Sequence, residues 1–173
     1  MRCFIAISLP DGIKEKVSGF RVDERIARVT YPPDYHLTLR FLGDIAEEEI
    51  DKVKSALRNV DYPRFSLSLD NIDFFIEKDK SPSIVWIGVN PKDKVIGLRR
   101  KIDDALAPTF EPEERYNPHV TLCRIKRIKN DRIWNYSRMI LEGRFNVDGF
   151  ELFRNDLIGE RHKYGVVERY MLK

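Results

Sequence analysis

Apolar and polar positions along the chain switch between a period of two and a period near 3.6, and the switches come in an order that occurs twice. Cys3 to Leu9 form a continuous apolar run rich in strand formers, stopped by Pro10-Asp11-Gly12, and predict a buried strand. Ile13, Val17, Phe20 and Ile26 predict a helix from Ile13 to about Val29, weakened by Gly19. Tyr31-Pro32-Pro33-Asp34 reads as a loop. His36 to Leu42 alternates as a strand and stops at Gly43. Asp44 is placed to cap the next helix, with Glu47 after it and an apolar stripe at Ile50, Val53, Ala56 and Leu57. Phe65 to Phe75 alternates again as a strand.

The order then recurs. Ser83 to Val89 predicts a strand ended by Asn90-Pro91, and Val95, Leu98, Ile102 and Leu106 mark a helix. Tyr116-Asn117-Pro118 is a loop, and His119-Val120-Thr121-Leu122 opens a strand. Ile133, Trp134, Met139 and Ile140 mark a short helix, Phe145 to Phe153 a strand, and Gly165 to Leu172 a last strand. Pro10 and Pro91 hold equivalent places, as do His36 and His119. The segment Leu69-Asp70-Asn71-Ile72-Asp73-Phe74-Phe75 resembles Val147-Asp148-Gly149-Phe150-Glu151-Leu152-Phe153. These matches make an internal duplication, residues 1–80 and 81–173 approximately, a better account than chance alternation of elements. The expectation is one bilobal domain over residues 1–173.

The duplication matters because of what it repeats. The chain has three histidines and four threonines, and two of the threonines follow a histidine at the second position, in equivalent places of the two copies. On a strand, residues i and i+2 share a face. His36 therefore projects with Thr38, and His119 with Thr121, while Leu37, Leu39, Val120 and Leu122 point into a core. A pseudo-twofold pairing of the copies would bring two imidazoles and two hydroxyls to one cleft. That set suits phosphoryl transfer without a metal. One neutral imidazole takes a proton from water and one imidazolium gives a proton to the leaving oxygen. The hydroxyls hold the non-bridging phosphate oxygens. No carboxylate cluster accompanies the histidines in the sequence, so neither a metal nor another cofactor is expected. The plain alternative is that each pair is a satisfied polar patch beside a strand.

Composition narrows the setting more than the function. Hydrophobic residues make up 42% and charged residues 34%, which describes a globular chain. The formal charge of +3 permits an anionic partner without requiring one. Cys3 and Cys123 sit in apolar runs and read as small buried side chains, not as a disulfide or half of a zinc site. The N-terminal apolar run is too short for a signal peptide, and no stretch is long enough to span a membrane. A cytoplasmic location without membrane contact is the expectation.

These motifs resemble the 2H phosphoesterase superfamily, whose signature is two copies of His-apolar-Thr-apolar. Within it the chain is most similar to the RNA 2′,3′-cyclic phosphodiesterases, also called 2′-5′ RNA ligases. The resemblance is carried by RCFIAI at Arg2–Ile7, HLTLRFLG at His36–Gly43, VWIGV at Val85–Val89, PHVTL at Pro118–Leu122 followed by Arg124, and the tail Gly165–Leu172. Cys123 stands where a small apolar residue is expected. The resemblance implies an α+β bilobal fold, with two antiparallel sheets related by a pseudo-twofold axis around a cleft and helices outside. It implies hydrolysis of a 2′,3′-cyclic phosphate on an RNA end, tRNA fragments among the candidates, to a 2′-phosphate, and in some members joining or cleavage of 2′-5′ linkages. It implies His36 as general acid on the 3′-oxygen and His119 as general base on water, although the two motifs are nearly symmetric.

Two arginines are candidate phosphate ligands beside Thr38 and Thr121. Arg40 shares the face of His36 if the strand is regular; otherwise it is a solvent-facing cation. Arg124 falls on the opposite face from His119 by simple alternation, and a bulge is needed to return it. Its match to the family motif supports a phosphate contact. Arg124, Lys126, Arg127, Lys129, Arg132 and Arg138, interleaved with Trp134 and Tyr136, are suited either to an RNA backbone or to a solvated helix face over a buried Trp134. His162 reads as a surface histidine in a charged turn; Tyr31 and Phe41 fit either the cleft mouth or the core. Two other functions stay open on sequence grounds: turnover of a small cyclic nucleotide or an ADP-ribose cyclic phosphate, and RNA or nucleotide binding without turnover. A DNA-binding domain is disfavoured by the mild charge and the lack of a helix-turn-helix signal.

Overall fold

The computed structural model describes residues 1–113 and 115–173. The first copy forms β1 (Arg2–Ser8), α1 (Asp11–Ser18), β2 (Ala27–Thr30), β3 (His36–Asp44), α2 (Glu47–Arg58) and β4 (Phe65–Ile76). The second forms β5 (Pro82–Asn90), α3 (Lys92–Leu106), β6 (His119–Ile128), a 3₁₀ helix at Asp131–Arg138, β7 (Arg144–Val147), β8 (Gly149–Ile158) and β9 (Arg161–Met171). Among the described residues the strands make one antiparallel sheet in the order β7-β4-β5-β6-β3-β1-β8-β9, with β2 on β6.

That order is two four-stranded halves joined at the β3–β6 seam. The seam has a single register pair, Leu37 opposite Val120, and neither residue is exposed to solvent. The α+β architecture is the expected one, with the two expected sheets stitched along this line. The halves of the sheet do not coincide with the halves of the sequence. β4 of the first copy pairs with β5 of the second, and β8 of the second pairs with β1 of the first. The core gathers Ile5, Leu37, Leu39, Val120 and Leu122 from the sheet with Val53 and Leu57 of α2 and Leu98 and Ile102 of α3. A smaller apolar cluster of Phe4, Ala6 and Phe153, with Tyr164 against it, lies apart from this core.

Four elements depart from the periodicity. The helix expected to reach Val29 ends at Ser18. Gly19 caps it, and Asp23 folds the following residues by accepting the Arg25 and Ile26 backbone N–H groups. Ala27–Thr30 is then free to pair with β6, and sheet pairing overrides a weak helical spacing. Asp44 does not cap α2, because the sheet holds it opposite Arg2; the N-cap is Ala46, and Glu47, Glu48 and Glu49 face the positive end of the helix dipole instead. The short helix after β6 is a 3₁₀ helix. The strand expected from Phe145 to Phe153 breaks at Asp148, since Val147 pairs with Phe65 in one half and Gly149 with Met171 in the other. A Cβ at Gly149 would lie 2.5 Å from the Tyr170 carbonyl oxygen, so only glycine permits this crossing.

Leu37 is fully buried at the seam, on the face of its strand that packs into the core. Leu37→Ala should therefore lower stability by about 2–5 kcal/mol, read as a shift of the urea midpoint.

Candidate active site

The seam builds the site. Leu37 and Val120 point into the core, so their neighbours along each strand point to the other face. Continuing the antiparallel register by one residue on each side sets His36 opposite Thr121 and Thr38 opposite His119. All four side chains line one cleft of about 550 Å³, together with Phe4, Asp34, Phe41, Phe75, Arg124 and Tyr164. The Tyr116 hydroxyl donates to the Thr38 carbonyl oxygen at 2.8 Å, occupying an acceptor on β3 beside the seam.

Each imidazole is walled by aromatic rings. His36 lies 4.9 Å from the Phe4 ring and 5.3 Å, edge-on, from Tyr164. His119 lies 4.8 Å, edge-on, from Phe75 and 5.9 Å from Trp86. Phe75 and Phe153 are the matched ends of the two copies, and they flank the two histidines in equivalent positions. Their recurrence is visible in the sequence, but nothing in the spacing ties them to the histidines.

Each imidazole also meets the backbone two residues upstream. The His119 Nδ1 stands 2.7 Å from the Asn117 carbonyl oxygen. A carbonyl only accepts, so Nδ1 carries the hydrogen, and Nε2 of the neutral ring is left with a lone pair. At His36 the Asp34 backbone likewise favours the protonated ring. Burial is the largest influence on both rings and disfavours their charged forms. It holds His36 down to about 4, against the opposing pull of Asp34. His119 is also lowered, with Arg124 adding to the effect of burial.

The model of the 2′-5′ RNA ligase superfamily matches residues 9–158. The chain belongs to that superfamily. The RNA 2′,3′-cyclic phosphodiesterase of Methanocaldococcus jannaschii is 26% identical to it over 178 aligned positions, covering 98% of this chain and 100% of the relative. The Archaeoglobus fulgidus enzyme of the same name is 29% identical over 137 positions, covering 77% of each chain. The fold is that of Escherichia coli LigT, whose apo crystal structure superposes with a TM-score of 0.78 at 24% identity, covering 99% of this chain and 96% of LigT.

This superfamily member treats its two arginine candidates differently. Both motif strands carry a bulge at the third residue after the histidine. Ala6 pairs with Thr38 and Ile5 with Arg40, leaving Leu39 over; Trp86 pairs with Thr121 and Val85 with Cys123, leaving Leu122 over. Each bulge reverses the alternation. The fifth residue after each histidine, Phe41 or Arg124, consequently turns to the cleft, and the fourth, Arg40 or Cys123, turns to the interior. Arg40 is thus not brought to the histidines. It is buried, ion-pairs with Asp103 of α3, and donates to the Glu111 carbonyl oxygen. Arg99 joins the same cluster through Asp103 and Glu113 and lies 4.2 Å from the centre of the Tyr116 ring. This buried clasp anchors the segment before β6 that supplies Tyr116 and Asn117.

His162 is exposed, as expected, yet it stands at the cleft rim with Nδ1 3.0 Å from the Asn155 Oδ1. Trp134 is not in the core. It is 41% exposed and packs edge-on against Phe74, whereas Tyr136 is half-buried and its hydroxyl accepts the Asp23 backbone N–H. Cys3 and Cys123 are buried free thiols, and burial pushes both thiols up, Cys123 to about 12. Among the described residues no group of three or more His, Cys, Asp or Glu side chains is arranged to hold a metal ion.

Asp103→Ala would strip the shared carboxylate from two buried guanidinium groups. It should cost about 3–5 kcal/mol by urea unfolding, far more than loss of an exposed pair such as Arg25–Asp23.

Proposed function

We propose that this chain hydrolyses the 2′,3′-cyclic phosphate at an RNA end to a 2′-phosphate, using His36 and His119 as its proton-transfer pair. The observation that carries the reading is the crossed arrangement of two His-x-Thr pairs about one seam, lining one cleft. Water attacks phosphorus in line with the 3′-oxygen. The neutral Nε2 of His119 takes a proton from that water as the new P–O bond forms. The P–O3′ bond breaks, and the His36 imidazolium supplies the proton to O3′. Thr38 and Thr121 donate to the non-bridging oxygens, and Arg124 adds positive charge beside them.

Local charges support this division of labour. The Asp34 carboxylate favours the protonated form of His36 against the smaller opposing effects of Lys14, its ion-pair partner, and of His119, and Arg124 favours the neutral form of His119. Burial opposes a resident imidazolium, and the anionic phosphodiester offsets that opposition when it enters. A 5′-hydroxyl replacing water would give a 2′-5′ linkage by the same path. Residues 1–173 act as one bilobal domain in this scheme, since the exchanged β4 and β8 tie the halves and each half supplies one histidine. No helix is long and apolar enough to cross a membrane among the described residues; we place the enzyme in the cytoplasm, with tRNA fragments among its candidate substrates.

Turnover of a 2′,3′-cyclic phosphate oligonucleotide in EDTA, with the product isomer identified, tests the reaction. Activity should persist and yield the 2′-phosphate; loss in EDTA with rescue by a divalent ion would refute the metal-independent scheme. His36→Ala and His119→Ala should each reduce turnover by about 10²–10⁴. Thr38→Ala and Thr121→Ala should cost less, and the double histidine variant less than the product of the singles.

The pH dependence follows from the lowered imidazoles. A histidine held below its ordinary value near 6.5 is protonated only at more acidic pH. The bell of kcat/KM, which reports the free enzyme, should therefore be displaced to the acid side of that value. The bell of kcat should lie at higher pH, because bound phosphate favours the imidazolium. Coincident profiles centred on unperturbed histidine would contradict the burial effect.

A further inference from the structure

The cleft face does not end at Arg124. Beyond the seam, β6 leaves β3 and takes β2 as its partner, with Thr30 opposite Arg124 and Arg28 opposite Arg127. Thr30 and Arg28 are two residues apart on β2 and both exposed, while Ala27 is buried, so they share the face that Arg124 presents to the cleft. A bulge leaves Lys126 over on β6 between these pairs, and it too is exposed. Neither β2 nor β6 contains an acidic residue. Among the described residues, Arg28 and Arg127 have no carboxylate within ion-pair distance, unlike Arg25, which is neutralised by Asp23.

The stripe leads to a second depression of about 430 Å³ beside β2, lined by Arg21, Arg28, Tyr31 and Lys129 together with Glu24. Arg21 lies 4.0 Å over the Tyr31 ring, whose hydroxyl is fixed by accepting the Val22 backbone N–H at 3.0 Å. The Lys129 ammonium is held at its rim by donating to the Glu24 carbonyl oxygen at 2.6 Å. Arg21 turns to the inner side of β2 beside Tyr35, whereas Arg28 and the exposed cations of residues 124–127 are assembled into one track on the cleft face. It runs ~10 Å or more from Arg124 at about 3.3 Å per residue.

We infer that this β2–β6 track binds the sugar–phosphate backbone of the RNA on the 5′ side of the reacting end. The inference rests on the proposed reaction, which fixes the 3′ end in the cleft. Only the 5′-directed strand then has chain left to lie on the track. Exposed guanidinium groups without carboxylate partners bind successive phosphates and carry no base readout, so the track confers preference for length over sequence. The basic run beyond β6 divides accordingly: Arg124, Lys126 and Arg127 belong to the track, while Arg132 and Arg138 sit on the 3₁₀ helix outside it.

Two measurements separate this inference from the reaction it rests on. The first is fluorescence anisotropy of a 5′-labelled single-stranded RNA ending in a 2′-phosphate, titrated at several salt concentrations. Arg28→Ala with Arg127→Ala should make the log–log salt slope shallower by about 1.4, roughly 0.7 for each phosphate no longer neutralised. Arg28→Lys, which keeps the charge, should retain the wild-type slope. The second is the ratio of kcat/KM for an oligonucleotide to that for a cyclic mononucleotide with the same end. That ratio should exceed one in the wild type and fall toward one in the double alanine variant. An unchanged slope and an unchanged ratio in a variant that still turns over the mononucleotide would overturn the track. Wild-type protein inactive on both substrates would instead overturn the reaction, and the anisotropy slope would still decide the track.

Discussion

Leu37 and Val120 face each other across the middle of the sheet, and the rest of the site hangs on that contact. Both side chains are fully buried, so a slip of one residue in either strand would turn the motif leucines to solvent and the histidines into the core. The hydrophobic cost of that exchange fixes the register. The register then places each histidine across from the other copy's threonine, and no separate interaction is needed to assemble the four groups. Burial on one face of the sheet organises the chemistry on the other.

The same strands also determine where the organised face stops. The bulges at Leu39 and Leu122 interrupt the alternation after two cleft-facing residues in each motif. Past them the two copies diverge in chemistry at equivalent places: Phe41 against Arg124 on the cleft side, Arg40 against Cys123 on the inner side. At the fifth residue after the histidine one motif therefore presents an aromatic ring to the cleft and the other a cation. The symmetry of the backbone is kept while the charge is not, and this difference supports distinct proton-transfer roles for two otherwise equivalent imidazoles. The Asn117 carbonyl orients the His119 ring, and the two rings also differ in neighbouring charges and depth of burial.

Placing imidazoles among Phe4, Phe75, Trp86 and Tyr164 has an energetic consequence. Apolar walls exclude water, which strengthens hydrogen bonds to a phosphate and disfavours an idle positive charge. The clasp of Arg40, Asp103 and Arg99, with Glu113 at its exposed edge, holds Tyr116 beside the site, with charge placed where it is paired by protein.

The sequence alone determined most of the strand–helix order, apart from β2 and the break at Asp148, the pairing of His36 with Thr38 and of His119 with Thr121, and the inward direction of Leu37, Leu39, Val120 and Leu122. All of these follow from periodicity within one element, where a side chain's direction depends only on its position along the strand. Tertiary structure decided what local spacing does not encode. The exchange of β4 and β8 depends on which distant strands pair, and the end of α1 at Ser18 depends on β6 drawing Ala27–Thr30 into the sheet. The fate of Arg40 and Arg124 depended on bulges, since one extra residue reverses every later side chain. The aromatic walls and the β2–β6 cationic stripe join residues far apart in the chain, and only packing brings such groups into reach.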